Sequence, residues 1–241
     1  MKIGLFGGSF DPVHSQHVAL AESAVKQLGL ERLIVMPSAI APHKRNGAAA
    51  SGADRIEMCR IAFRGLCAEI SAYEIERDGT SYSYLTCSHL KERHPNDEFY
   101  FLVGADMLEN FPLWKKPEKI LECVTLVAGG RGKQSVEKYA EIISKTFGKE
   151  VILLPFAGKD VSSTRIRVEL AFGKCSEELS GEVYAYAKEK GIYTHPAIAP
   201  ALALEKPERR EHSFRVALMA AEHAAAAGVS REKAILAAAL H

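Results

Sequence analysis

The chain has 241 residues, 47% of them hydrophobic and 25% charged, with a net charge of +1 at pH 7. That length holds one large α/β domain plus a small appendage. The balanced charge argues against a broad nucleic-acid footprint, and no apolar run approaches the roughly 20 residues of a membrane span.

Residues 3–6 are a short apolar run ending in Gly7-Gly8, which predicts a buried strand entering a tight turn. The run is too short for a signal peptide. Val18, Ala21, Val25 and Leu28 recur at helical spacing, and Gly29 closes that helix. Residues 33–36 read as a strand stopped by Pro37, residues 52–64 as a helix, and residues 83–93 as a helix cut off before Pro95. Residues 99–103 and 124–128 are apolar strands, each followed by glycine. Residues 136–146 are helical, residues 151–154 a last strand before Pro155, and residues 163–172 and 181–190 helices. Strand and helix alternate, and the strands are continuous apolar runs, so they are buried on both faces. The expected fold is α/β, a Rossmann-like doubly wound parallel sheet with helices on each side. Ligands in such sheets sit at the carboxyl ends of the strands, near a topological switch point. Residues 195–204 read as a linker, and residues 205–241 as a short all-α, Ala-rich appendage in two segments parted by Gly228. The partition is therefore 1–194, 195–204 and 205–241.

Five scattered cysteines, Cys59, Cys67, Cys87, Cys123 and Cys175, contain no C-x-x-C pair. They predict neither a zinc cage nor a disulfide framework and fit a reduced cytoplasm.

Two loops carry the chemistry. The first runs Gly7-Gly8-Ser9-Phe10-Asp11-Pro12-Val13-His14-Ser15-Gln16-His17. Its glycines let backbone approach a ligand closely. His14 and His17, three apart at a helix start, are expected on one helix face. A helix N-terminus favours anions through its free N–H groups and dipole, so two donors beside it suit a triphosphate. The second loop is Val161-Ser162-Ser163-Thr164-Arg165-Ile166-Arg167. Ser162 or Ser163 is a natural N-cap, and Arg167 can add a bidentate phosphate contact.

Together these motifs resemble the nucleotidyltransferase superfamily marked by H-x-G-H and S-S-T-x-x-R. The finer pattern resembles nicotinate-nucleotide adenylyltransferase over roughly residues 1–194. Pro42-His43-Lys44, Ser81-Tyr82-Ser83-Tyr84 with Thr86, Gly104-Ala105-Asp106-Met107 with Trp114-Lys115, and Gly191-Ile192-Tyr193 all look like segments of that family. The resemblance implies that AMP passes from ATP to nicotinate mononucleotide, with Mg²⁺ delivered on ATP and no protein metal ligands. It implies ATP contacts from Gly7, Gly8, Ser9, Phe10, His14, His17, Ser162, Ser163 and Arg167. His14, His17, Lys44 and Arg167 would be the catalytic charges. Lys44, Thr86, Asp106, Trp114 and Arg131 would surround the mononucleotide, with the indole stacked on its ring. Two positions depart from the family: Gln16 replaces the glycine between the histidines, and Leu85 replaces an acidic residue.

Residues 205–241 resemble the opening of an HD-type metal phosphohydrolase through the string from Arg209 to Ala217, with Leu240-His241 at the end. That family's site needs an Asp after the second His. Here His212 and His241 stand without carboxylates and make an incomplete site. About 37 residues are also too few for a separate core. A helical tail that packs on the main domain or mediates a homodimer is the simpler expectation. The competing readings are the same transfer onto nicotinamide mononucleotide or phosphopantetheine, a non-catalytic nucleotide-binding protein disabled by Gln16, and HD phosphohydrolysis. A nucleic-acid or membrane partner is not expected.

Overall fold

In the computed structural model, which describes residues 1–40, 48–77, 79–131 and 136–241, the apolar run at the start forms β1 (Lys2–Gly8). The chain continues through α1 (Ser15–Leu28), β2 (Arg32–Pro37), α2 (Gly52–Ala62), β3 (Ala68–Ile70), the single turn α3 (Tyr73–Glu76), α4 (Ser83–Arg93) and β4 (Glu98–Gly104). Next come α5 (Ala105–Asn110), a 3₁₀ turn at Phe111–Leu113, α6 (Pro117–Cys123), β5 (Thr125–Arg131), α7 (Val136–Phe147) and β6 (Val151–Gly158). Helices α8 (Ser163–Ala171), α9 (Gly181–Glu189), α10 (Ile198–Leu204), α11 (Pro207–His223) and α12 (Arg231–Ala239) complete it. These residues fall into two compact units. One holds all six strands with α1 from Gln16 on and α3 to α7. The other gathers Phe10–Ser15, α2 and Val161–His241.

In the sheet unit every strand pair is parallel, in the order β3-β2-β1-β4-β5-β6. The winding reverses between β1 and β4, so the switch point lies where Gly8 and Gly104 end those strands. Ile3, Leu5, Phe101, Val103 and Leu126 are buried in one core, and Leu33, Val35, Leu102 and Val127, which alternate with residues of that core along the strands, are buried as well. That is why the strands read as unbroken apolar runs rather than alternating ones. Gly29, at φ +61°, ends α1 in the left-handed conformation that glycine adopts without strain. The buried stripe of α1 is Leu20, Ala21 and Ala24, one position off the pattern expected from Val18 and Val25. Leu20 explains the shift: a Cβ on Gly129 of β5 would stand 2.5 Å from Leu20 Cδ1, so helix and strand meet where there is no side chain.

Other elements differ from expectation for identifiable reasons. β6 runs through Pro155 instead of stopping before it. β6 is the edge strand, and the register slips between Gly129 and Gly130, from Leu154 to Ala157. A bulge at an edge accommodates the missing proline donor. The three-residue β3 and the short α3, α5 and α6 carry too few residues for periodicity to register.

The second unit has its own core. Val168 of α8 packs with Ile198, Leu202, Phe214, Ala217, Ala221, Ile235, Ala238 and Ala239. The stretch read as a linker thus contains α10, with Ile198 and Leu202 buried. Pro200 is tolerated there because the first helical turn needs no intrahelical donor. The alanines let α11 and α12 approach closely, and Phe172 meets Phe214 edge-on at 5.5 Å. Gly228, at φ +69°, parts the two helices as the sequence suggested.

Candidate active site

At the switch point of the sheet unit, Gly7 and Gly8 pair with Met36 and Pro37. The Gly8 carbonyl accepts the Ser38 N–H at 2.9 Å. His17 lies in the first turn of α1, half-buried, its ring 6.0 Å from that of Phe6 and tilted by 57°. Asp106 is exposed in the first turn of α5, directly beyond β4. Trp114 is half-buried, its ring 5.3 Å from Phe111 and 6.0 Å from Phe101. Thr86 is 2% exposed, and its hydroxyl donates to the Glu74 carboxylate at 2.6 Å.

The structure draws two of the recognised segments together. Lys115 Nζ sits 4.1 Å from the centre of the Tyr82 ring, and Lys116 Nζ 4.8 Å from that of Tyr84. Ammonium groups over aromatic faces attract by the ring quadrupole, so the Trp114 strand of residues is held against the start of α4. Beneath them Ser81 accepts the Ala39 N–H at 2.9 Å and also bonds Glu74. Burial pushes the Glu74 carboxyl above the ordinary range, opposed by its bonds to Thr86 and Ser81 and by Arg77.

In the second unit the motif residues converge on Asp11, 4% exposed. Its carboxylate accepts the N–H groups of Ala49 at 2.8 Å and Ala50 at 3.0 Å, and the Tyr193 hydroxyl at 2.8 Å. Arg167, 6% exposed, donates from Nη1 to the Asp11 carbonyl at 2.5 Å and lies 3.7 Å from its carboxylate. Its Nη2 donates to Thr164 Oγ1 at 3.1 Å. Ser163 donates to the Pro12 carbonyl at 3.0 Å. Ser162 is the N-cap of α8, accepting the Arg165 N–H at 3.2 Å. Ser15 bonds Glu178 through both its N–H and its hydroxyl. Burial and Asp11 push the Tyr193 phenol well above the ordinary range. Burial lowers the Arg55 guanidinium, opposed by Asp11.

Several expectations change. His14 is not on the helix face with His17: it precedes α1 and is 3% exposed. Phe10 is fully buried, with a left-handed φ of +47°. Arg167, expected to reach phosphate, has both terminal nitrogens engaged within the protein. It is buried, with Nη1 given to Asp11 and Nη2 to Thr164, while its buried Nε has no hydrogen-bond partner among the described residues. Lys44, with Pro42 and His43, lies outside the described residues, as does the side chain of Arg131. Leu85 is exposed, and nothing in the structure explains its replacement of an acidic residue. Sequence reasoning missed Asp11, Tyr193 and Arg55 as a network, and Glu74 beneath Thr86. The one available signal was an Asp-Pro inside the first loop; burial of Glu74 left no trace in its charged neighbourhood. All five cysteines are free, and burial pushes the Cys59 and Cys87 thiols far up, which makes them poor nucleophiles. His212 and His241 stand with ring centres 5.8 Å apart, both exposed.

A parallel sheet of this order, with glycine-ended strands at its switch point, defines a nucleotide-binding fold of the dinucleotide type. Residues 5–169 match the family described as Cytidylyltransferase-like. The chain is 38% identical over 194 residues to a probable nicotinate-nucleotide adenylyltransferase of Geobacillus thermodenitrificans, covering 80% of this chain and 86% of the relative. It is 34% identical over 194 residues to the nicotinate-nucleotide adenylyltransferase of Bacillus subtilis, covering 80% and 98%. A Plasmodium falciparum nicotinic acid mononucleotide adenylyltransferase, solved in complex with NaAD, shares the fold with a TM-score of 0.65 at 21% identity, over 80% of this chain and 97% of that one. The chain belongs to the nicotinate-nucleotide adenylyltransferase family.

Proposed function

We infer that this chain transfers AMP from ATP to nicotinate mononucleotide, giving deamido-NAD and pyrophosphate in NAD biosynthesis. The observation that carries the reading is the 38% identity with a family member across 194 residues. The rim at the β1/β4 switch point agrees with it, since that is where such folds bind nucleotides. A phosphate oxygen of the mononucleotide attacks the α-phosphorus of ATP in line. The bond from that phosphorus to the bridging oxygen breaks, and pyrophosphate leaves. The acceptor phosphate is already a competent nucleophile, so catalysis reduces to alignment and charge stabilisation. Mg²⁺ enters as part of the substrate, carried on triphosphate oxygens and keeping several waters.

In this proposal Gly7, Gly8, Ser9 and Phe10 lie along ATP, and His14 and His17 contact its phosphates, His17 stabilising transition-state charge. Ser162 and Ser163 hold the departing pyrophosphate, and Arg167 supports it both by charge and by fixing the loop at Asp11. Lys44 neutralises phosphate, Asp106 binds ribose hydroxyls, Thr86 and Trp114 border the nicotinate ring, and Arg131 lies near the mononucleotide. Residues 1–194 form the transferase domain, with 205–241 a helical appendage suited to packing or to a homodimer. The setting is cytoplasmic. Among the described residues no helix is long and apolar enough to cross a membrane.

The test is pyrophosphate release from MgATP with nicotinate mononucleotide, nicotinamide mononucleotide and phosphopantetheine offered separately. Release is expected to favour the nicotinate acceptor. No release with any acceptor, from folded protein, would sink the reading.

A further inference from the structure

Gln16 stands where the family motif has glycine, and its side chain has a defined partner. Its carboxamide oxygen accepts the backbone N–H of Lys159 at 2.7 Å. A backbone N–H can only donate, so this bond fixes which end of the amide faces Lys159. Lys159 lies one residue beyond the last β5–β6 pair, Arg131 with Gly158. Its N–H therefore leaves the ladder, and Gln16 takes it across a sequence separation of 143 residues. The surrounding packing is close. A Cβ on Gly158 would stand 3.0 Å from Gln16 Oε1 and 2.7 Å from Phe156 Cε1, and one on Gly129 would stand 2.9 Å from Phe156 Cδ1. Gly158 thus leaves the room that the Gln16 carboxamide occupies against the end of β6. Gln16 and His17 are neighbours in the first turn of α1, so the bond ties that turn to the chain just beyond β6.

We propose that Gln16 is a positioning residue of the transfer reaction: by holding Lys159 it fixes the first turn of α1, where His17 lies, against the chain leaving β6, and turnover depends on that bond. The proposal rests on the adenylyl-transfer reading. It makes the departure from the motif a working replacement rather than an obstruction. A single hydrogen bond of this kind contributes about 1 kcal/mol, which corresponds to about three- to tenfold in rate.

The experiment compares the full chain with Gln16→Gly and Gln16→Glu, using MgATP and nicotinate mononucleotide kinetics together with amide hydrogen exchange at Lys159. Gln16→Gly is expected to speed Lys159 exchange and to lower kcat about three- to tenfold, with a smaller change in KM for MgATP. Gln16→Glu keeps an acceptor oxygen at the same reach and is expected to restore Lys159 protection and most of kcat. The proposal is overturned if Gln16→Gly raises kcat/KM, which would make Gln16 an obstruction. It is equally overturned if exchange accelerates while kcat stays put, or if exchange does not change. Silence of every variant, wild type included, overturns the adenylyl-transfer reading with it. Activity in Gln16→Gly alone overturns only this proposal.

Discussion

The two units treat polar groups in opposite ways. In the sheet unit the interior is apolar apart from the Glu74, Ser81 and Thr86 cluster, and the candidate site residues His17, Asp106 and Trp114 stand half-buried or exposed. In the second unit the candidate residues His14 and Arg167 are themselves buried, and Asp11, Arg55 and Arg167 form a polar centre around which α2, α8 and Tyr193 gather. The same kind of motif residue therefore does two jobs. Where an apolar core already holds the backbone, a charged side chain is available to a ligand. Where a buried polar network stands beside the apolar core, as around Asp11, the charged side chain holds the loop.

The largest effect that tests this contrast is Arg167→Ala. It removes the cation beside the buried Asp11 and the donor to its carbonyl, and breaking a buried pair this way costs about 3–5 kcal/mol. Denaturant unfolding is expected to show that loss, and Arg167→Lys is expected not to repair it, since an ammonium lacks the planar fork. Lost activity with unaltered stability would break the comparison and return Arg167 to ligand contact alone. His17→Ala should behave oppositely. Pyrophosphate release is expected to fall about 10²–10³-fold, the usual cost of one transition-state charge donor, while the unfolding midpoint barely moves. A large stability loss there would put His17 among the loop-holding residues.

Tyr193→Phe probes the same network more gently. It deletes one of the donors to Asp11 and is expected to cost about 1–2 kcal/mol, read by unfolding, with activity following stability. The smallest effect is at Glu74, the polar exception within the sheet unit. Its carboxyl is raised by burial, so the folded state holds the proton more tightly than the unfolded chain. Its contribution is fully present below the unfolded carboxyl range and is lost as pH rises through the folded value. Glu74→Gln should therefore gain stability relative to wild type as pH rises from about 4 toward 8. Paired melts that stay parallel across that range would refute the sign.

Much of the fold was legible because parallel strands buried on both faces leave continuous apolar runs, as in residues 3–6, 33–36 and 99–103. The helix ends at Gly29 and Gly228 were legible for a backbone reason, their positive φ. The edge position of β6 was not, because Pro155 stops a strand unless a bulge at a sheet edge absorbs it, and neither bulge nor edge is local. Of the candidate site, the loops were legible by their punctuation of Gly, Pro, Ser and His. What each side chain does inside them was not. Thr86 looked like a ligand neighbour, yet its hydroxyl is given to Glu74, twelve residues away in sequence.

What the sequence alone determined was the alternation of strands and helices, the helix starts after the two motif loops and the family, since these rest on local spacing and on motif strings. Only the tertiary structure decided that Arg167 and Asp11 are partners, that residues 198–204 form a helix on a shared core, and that Gln16 bonds Lys159. Those outcomes depend on residues 156 or 143 positions apart being brought within hydrogen-bond reach, and on Ile198 and Ile235, 37 apart, sharing one core. Local sequence carries propensity, whereas the pairing of a buried donor with its acceptor is chosen by the packing of the whole unit.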